Sequence, residues 1–198
     1  YDAVNFYLKY GSIPSPISIF KNVNKLLPGE FLEIDKNLQI IRKKYFDLHK
    51  RFSLSKSKIS FNDALVQLEN KIEKAVQNQL VSDLEVGSFL SSGIDSSLIS
   101  FYMQKNSYKK IKTFSIGFED KKFDESSKAK DLANYLGTDH TTTIFNKNKV
   151  SEYFEIISDV YDEPFADASQ LPTMLVSEES KKKVSVILSG DGGDELFG

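Results

Sequence analysis

Apolar and polar positions follow two regimes along this chain. Up to about residue 48 the pattern is short-ranged. Val4, Tyr7 and Leu8 share one face of a short helix over residues 2–10, and Ile13-Pro14-Ser15-Pro16 ends it. Leu27-Pro28-Gly29-Glu30 reads as a turn, and residues 31–34 and 38–41 read as two strands of a hairpin around Asp35-Lys36-Asn37. Residues 50–58 are basic and rich in serine, which suits a linker.

From Ser60 onward, helical and strand periods alternate. Ser60 and Asn62 are candidate N-caps for a helix whose apolar face carries Ala64, Leu65, Leu68, Ile72, Ala75 and Val76. Short apolar strands are expected at 84–90, 111–118, 141–145 and 184–188. Helices are expected at 96–104, 125–136 (closed by Gly137), 150–160 and 169–182. Strands that are apolar throughout and separated by helices predict an α/β fold, with a parallel twisted sheet covered by helices on both faces and joined by right-handed crossovers.

Composition narrows the classes. Hydrophobic residues are 40% and charged residues 27% of 198, an ordinary globular balance that argues against disorder. The net charge of −2 demands neither a nucleic-acid nor a membrane partner, and no apolar run approaches the roughly 20 residues of a membrane helix. With no cysteine, this chain has no disulfide, thiolate metal site or Cys nucleophile. No signal peptide is visible at Tyr1, so the expected compartment is the cytoplasm. Both ends look cut, since Tyr1 replaces a starting Met and Gly198 follows directly on a motif.

Two loops carry candidate chemistry. Ser91-Ser92-Gly93-Ile94-Asp95-Ser96-Ser97 follows a predicted strand at Leu90 and opens a helix. A loop of small residues there lets backbone N–H groups and serine hydroxyls face an anion, helped by the helix N-terminus. Asp95 suits such a place only with a cation between it and the anion, and Mg²⁺ is the natural choice. Alone, this loop reads equally well as a Ser/Gly turn capping a helix. The second loop, Ser189-Gly190-Asp191-Gly192-Gly193-Asp194-Glu195, also follows an apolar strand. In parallel α/β sheets that edge is where ligands bind.

Together the loops resemble the ATP pyrophosphatases, and in particular the asparagine synthetases and the related β-lactam synthetases. Ser91–Ser96 is similar to their pyrophosphate loop, and 189–198 to their acidic loop. Thr113–Phe118, Leu136-Gly137-Thr138-Asp139-His140 and residues 162–169 resemble motifs between them. Residues 10–16 and 25–30 resemble the tail of the family's glutaminase domain. The resemblance implies a glutaminase remnant over residues 1–50, a linker over 51–58 and a synthetase domain over 59–198 of the ATP-pyrophosphatase, adenine nucleotide alpha hydrolase-like type. The implied activity is amide formation: a carboxylate, by default aspartate, is activated as an acyl-adenylate with release of pyrophosphate and then attacked by ammonia derived from glutamine.

Roles follow by position. Ser91, Ser92, Gly93, Ser96 and Ser97 are implied to hold the β- and γ-phosphates of ATP. Asp95 and Asp194 are implied Mg²⁺ ligands, and Leu90 and Ile116 the walls of the adenosine pocket, with Ser115 and Gly117 beside it. Ser189 and Gly190 are expected near the adenylate, with Asp191 as the catalytic acidic residue. The implied partners are small molecules, with neither nucleic acid nor membrane, and a homodimer is a candidate assembly. The loop departs from the family at Ser92, which stands where the resemblance expects glycine and is expected to crowd the phosphates or to strain the backbone if φ is positive. The family's catalytic Lys and much of its substrate pocket lie beyond the acidic loop, outside this sequence, so the chain alone is expected to be inactive. A relative that amidates another carboxylate, on a polysaccharide or antibiotic precursor, and a non-catalytic nucleotide-binding module are the alternatives. Outside the loops, His140 reads as structural, Asp124-Glu125-Ser126 as a helix cap, and Asp162-Glu163-Pro164 as a turn near the substrate side.

Overall fold

The computed structural model describes residues 2–53, 58–122 and 124–197, which divide into two compact units. The first comprises residues up to Ile59 together with Ile156–Asp167, and the second Ser60–Glu155 with Ala168 onward.

The first unit holds helix α1 (Asp2–Tyr10), strands β1 (Glu30–Ile34) and β2 (Ile40–Lys44), and helix α2 (Leu48–Phe52). The strands form an antiparallel ribbon pairing Glu30 with Lys44 and Ile34 with Ile40. The second strand begins later than the expected Leu38 because the turn is longer. Asp35 Oδ1 accepts from the amides of Asn37 and Gln39, and Leu38 sits at φ 59°. An Asp side chain that satisfies backbone amides locally holds the chain in the turn and keeps it from the ladder. Asp47 caps α2, so a short helix reaches into the predicted linker; residues 54–57 of that linker lie outside the described residues.

Residues 156–167 join this unit although they are distant in sequence. Glu163 accepts from the Ile19 amide at 2.7 Å and pairs with Lys25 Nζ at 2.5 Å, and the Ala166 amide donates to the Gly11 carbonyl. Lys25 holds the Glu163 carboxyl below its ordinary range, against the opposing effect of burial. The motif expected to be a turn near the substrate side is thus tied to the N-terminal segment.

The second unit is built on a four-stranded parallel sheet of order β5-β4-β3-β6, where β3 is Val86–Phe89, β4 Lys112–Phe118, β5 Asp139–Phe145 and β6 Val186–Leu188. All three pairings are parallel, as the apolar runs predict. The last strand is shorter than expected because the turn that ends α7 (Gln170–Lys181) takes the amides of Lys183 and Val184 onto Ser180 O.

Side-chain alternation assigns the two faces. Val76 on α3 (Phe61–Gln79) packs with Tyr102 and Met103 on α4 (Ile94–Lys105), against Val86 and Leu188. On the other face Phe114, Phe89, Ile116 and Ile187 meet Val176 of α7 and Val184. Successive strand residues point to opposite faces, so each strand feeds both cores. Helix α5 (Ser126–Leu136) contacts α4, β4 and β5. With α4 and α5 on one face and α7 on the other, the connections change face where the strand order reverses after β5.

Local signals set the helix ends. Ser60, rather than Asn62, caps α3 by accepting from the Asp63 amide. Gly137 closes α5 at φ 74°, where a left-handed residue lets the Thr138 amide reach Ala133 O. Helix α6 (Lys147–Val160) follows β5. No helix among the described residues is long and apolar enough to cross a membrane.

Candidate functional site

The sheet order decides where the two loops meet. β3 lies between β4, reached by the first crossover, and β6, reached after the chain reverses. The crevice beyond the carboxyl ends of such a pair is the switch point where α/β sheets bind ligands. Ser88 of β3 pairs in register with Leu188 of β6, so the segments starting at Leu90 and Ser189 leave the sheet side by side.

A cavity of about 680 Å³ opens there, within the roughly 300–1,000 Å³ range of small-molecule sites. Of the residues singled out in the sequence, Leu90, Ser91, Gly93, Asp95, Ser96 and Ile116 line it from one side, and Ser189, Gly190, Asp191 and Asp194 from the other. Ser92 and Ser97 do not line it. Ser97 Oγ donates to the Gly93 carbonyl at 2.5 Å, a bond back into its own helix.

The first loop is braced by its own serines. Ser91 Oγ and Ser96 Oγ lie 2.7 Å apart, the Ser91 amide donates to Ser96 Oγ, and the Gly93 amide donates to Ser91 Oγ. Gly93 is the N-cap of α4 and makes no side-chain cap bond, which leaves the first turn of the helix without a capping oxygen at the cavity. Unsatisfied amides and the positive end of the helix dipole there favour an anion.

The glycines of the second loop serve close approach more than backbone freedom. A Cβ on Gly190 would fall 2.6 Å from the Ser96 amide nitrogen, and one on Gly193 would fall 2.4 Å from Asp95 Cγ. Only Gly192, at φ 90°, needs the left-handed region. Asp95 therefore rests against the backbone of the acidic loop. Asp191 Oδ2 accepts from Ser189 Oγ at 2.9 Å. Among the described residues, no three His, Cys, Asp or Glu side chains are grouped so as to hold a metal by themselves. Asp95 and Asp194 share the cavity as a pair, the donor set that fits Mg²⁺ arriving with phosphate oxygens, since this ion is usually held by one or two carboxylates plus substrate phosphates.

Ser92 differs from its expectation. Positive φ among described non-glycine residues occurs only at Asn22 and Leu38, so Ser92 carries no such strain. Its hydroxyl points out of the loop and donates to Glu125 Oε2 at 2.5 Å. Glu125, read from sequence as part of a helix cap, itself lines the cavity. The capping falls to Asp124, whose Oδ1 accepts from the amides of Ser126 and Phe118. Bonds from the Ser126 hydroxyl and amide and the Phe118 amide hold the Asp124 carboxyl below its ordinary range.

Apolar walls complete the cavity. Phe89, Phe114, Phe118, Ala129 and Val176 were given no role from sequence, although Phe114 and Phe118 lie in the motif 113–118 and Phe89 in the strand expected at 84–90. His140 stands one layer away. Its Nδ1 lies 2.9 Å from Thr113 Oγ1, and its Nε2 lies 3.1 Å from Ser115 Oγ and 3.2 Å from Thr142 Oγ1. Burial, with Lys130 adding like charge and Asp139 opposing, pushes its pKa below the ordinary value. Both nitrogens of this half-buried ring are engaged, in keeping with a structural role.

Comparison with known proteins adds to this geometry. The asparagine synthase family model matches residues 67–198. A protein of Methanocaldococcus jannaschii named for asparagine synthetase (glutamine-hydrolyzing) 2 is 41% identical over 200 residues, covering 100% of this chain and 38% of that protein. Asparagine synthetase (glutamine-hydrolyzing) 1 of Bacillus subtilis is 35% identical over 198 residues, covering 100% of this chain and 30% of that protein. The chain thus spans well under half the length of these relatives. A solved NH3-dependent NAD synthetase from Campylobacter jejuni superimposes with a TM-score of 0.47 at 17% identity, covering 67% of this chain and 60% of that one.

Proposed function

This chain belongs to the asparagine synthase family, and from that premise we propose that it carries the ATP-using site of an amide-forming ligase. The observation that supports this best is the convergence of the two loops on one cavity, with Asp95 packed against the acidic loop at the switch point of the sheet.

The reaction is written for the whole enzyme. A carboxylate oxygen of the substrate, taken to be aspartate, attacks the α-phosphorus of ATP, and the bond to the β-phosphate breaks to release pyrophosphate. Ammonia then attacks the acyl carbon, loses a proton and expels AMP. Negative charge gathers on the departing pyrophosphate, so pre-placed donors lower the barrier. The first turn of α4, with Ser91 and Ser96, is the donor set assigned to that group. Ile116, Phe118 and Val176 offer an apolar wall for the base, and Leu90 closes the floor. Asp191, held by Ser189, is the carboxylate we assign to accept the proton lost by ammonia. Mg²⁺, held by Asp95 and Asp194 together with the phosphates, would supply charge neutralisation. The cytoplasm and a homodimer remain part of the same proposal.

The test is ATP–pyrophosphate exchange by the full-length protein with aspartate and Mg²⁺. Aspartate-dependent exchange supports the reading. Exchange that depends on another carboxylate moves the substrate assignment. Mg-ATP binding without exchange under any carboxylate would replace it with a non-catalytic nucleotide-binding module.

A further inference from the structure

The bond from Ser92 to Glu125 lies outside the roles just described. Ser91 and Gly93 line the cavity, whereas Ser92 between them does not, and its hydroxyl bonds the cavity-lining Glu125 at the start of α5. Glu125 makes no cap bond of its own, and Asp124 takes the Ser126 amide at that helix end. The two residues are 33 apart in sequence, and their contact ties the β3–α4 loop to the start of α5 beside the cavity.

The contact has an electrostatic consequence. Glu125 is a carboxylate lining a cavity read here as a triphosphate site, where like charge opposes binding. A hydroxyl donating to it offsets part of that charge and fixes which way the carboxylate points. Glycine at position 92 can make no such bond. We propose that Ser92 is a positioning residue for nucleotide binding that acts through Glu125, holding the loop in its binding shape and the Glu125 carboxylate aside from the phosphates. The proposal rests on the nucleotide-binding reading above, but its structural half does not.

The experiment is a double-mutant cycle on the full-length protein, read by calorimetric Mg-ATP affinity. Ser92→Ala is expected to weaken binding by about 3- to 10-fold, the span for one net hydrogen bond at a partly exposed site. In a Glu125→Ala background the same change should have less than about a twofold effect, because the partner is already gone. Ser92→Thr, which keeps the hydroxyl, should restore most of the affinity. Hydrogen exchange without nucleotide gives an independent readout: amides of residues 91–93 should exchange faster in Ser92→Ala and in Glu125→Ala, and no faster in the double variant. An unchanged affinity in Ser92→Ala, or an equal loss with and without Glu125, would overturn the proposal, the latter by making the hydroxyl a direct phosphate donor. If Glu125→Ala does not fold, Glu125→Leu, which also lacks an acceptor oxygen, completes the same cycle. A wild-type protein that does not bind Mg-ATP would sink the functional reading, while the exchange data would still decide the contact.

Discussion

The carboxylate of Asp95 lies directly over the Cα of Gly193. A Cβ at position 193 would sit 2.5 Å from Asp95 Oδ2 and 2.8 Å from Oδ1. One of the two predicted metal carboxylates is therefore placed by a backbone contact with the loop that supplies the other, and the absence of a side chain makes the contact possible.

Gly190 and Gly193 should respond differently to alanine. At 193 the obstructing atoms are the end of a side chain, which can swing aside, so Gly193→Ala should fold with a stability loss below about 1 kcal/mol yet lose Mg-ATP affinity as Asp95 is displaced. At 190 the obstructing atoms are the backbone of Ser96 and Asp95, which cannot yield cheaply. Gly190→Ala should cost roughly 1–3 kcal/mol and lower the melting temperature. Calorimetry on both variants checks this, and equal melting temperatures would contradict it.

If Asp95 and Asp194 share one cation with the phosphates, neutralising either should abolish the same function. Asp95→Asn and Asp194→Asn in the full-length protein are each expected to reduce pyrophosphate exchange by about 10²- to 10³-fold, the usual effect of removing one pre-placed electrostatic partner. The double variant should be little worse than either single. Independent, multiplying losses would separate the two carboxylates into different roles.

His140 gives a pH signature. Its folded pKa lies below the ordinary 6.5, with burial the first cause. In the unfolded chain it binds a proton near 6.5, so below that pH unfolding takes up a proton and the folded state loses stability until the lower folded pKa is passed. Melting temperature should fall on acidification from pH ~7.5 to ~5, and His140→Gln should flatten part of that slope. An unchanged slope in the variant would assign the acid sensitivity to other groups.

The chain contains no cysteine. The purified chain is expected to release no glutamate from glutamine above a protein-free control, measured by coupled glutamate oxidation. Release at a rate proportional to protein would require a nucleophile of another kind.

What the sequence determined was local and periodic. Small and apolar residues over Val86–Phe89 and Thr113–Phe118 marked buried strands, and Ser88, Thr113 and Ser115 are buried there along with Phe114, as a sheet covered on both faces requires. Gly137 and Ser60 marked helix ends through backbone and hydroxyl chemistry that acts within a few residues. The two loops were legible as loops for the same reason, and resemblance supplied their roles. What tertiary structure decided was adjacency. Nothing local makes β6 pair with β3 rather than extend the sheet beyond β5, yet that choice brings Gly193 onto Asp95. Nothing local carries Glu163 to Lys25 across 138 residues. Asp124-Glu125-Ser126 read as a cap as a whole; in the fold Asp124 takes the Ser126 and Phe118 amides, the latter from the end of β4, and Glu125 meets Ser92. Propensity acts on the residue and its near neighbours, whereas register, strand order and side-chain reach are set by packing over the whole unit, so the chemistry-bearing residues could be named from sequence while their contacts could not.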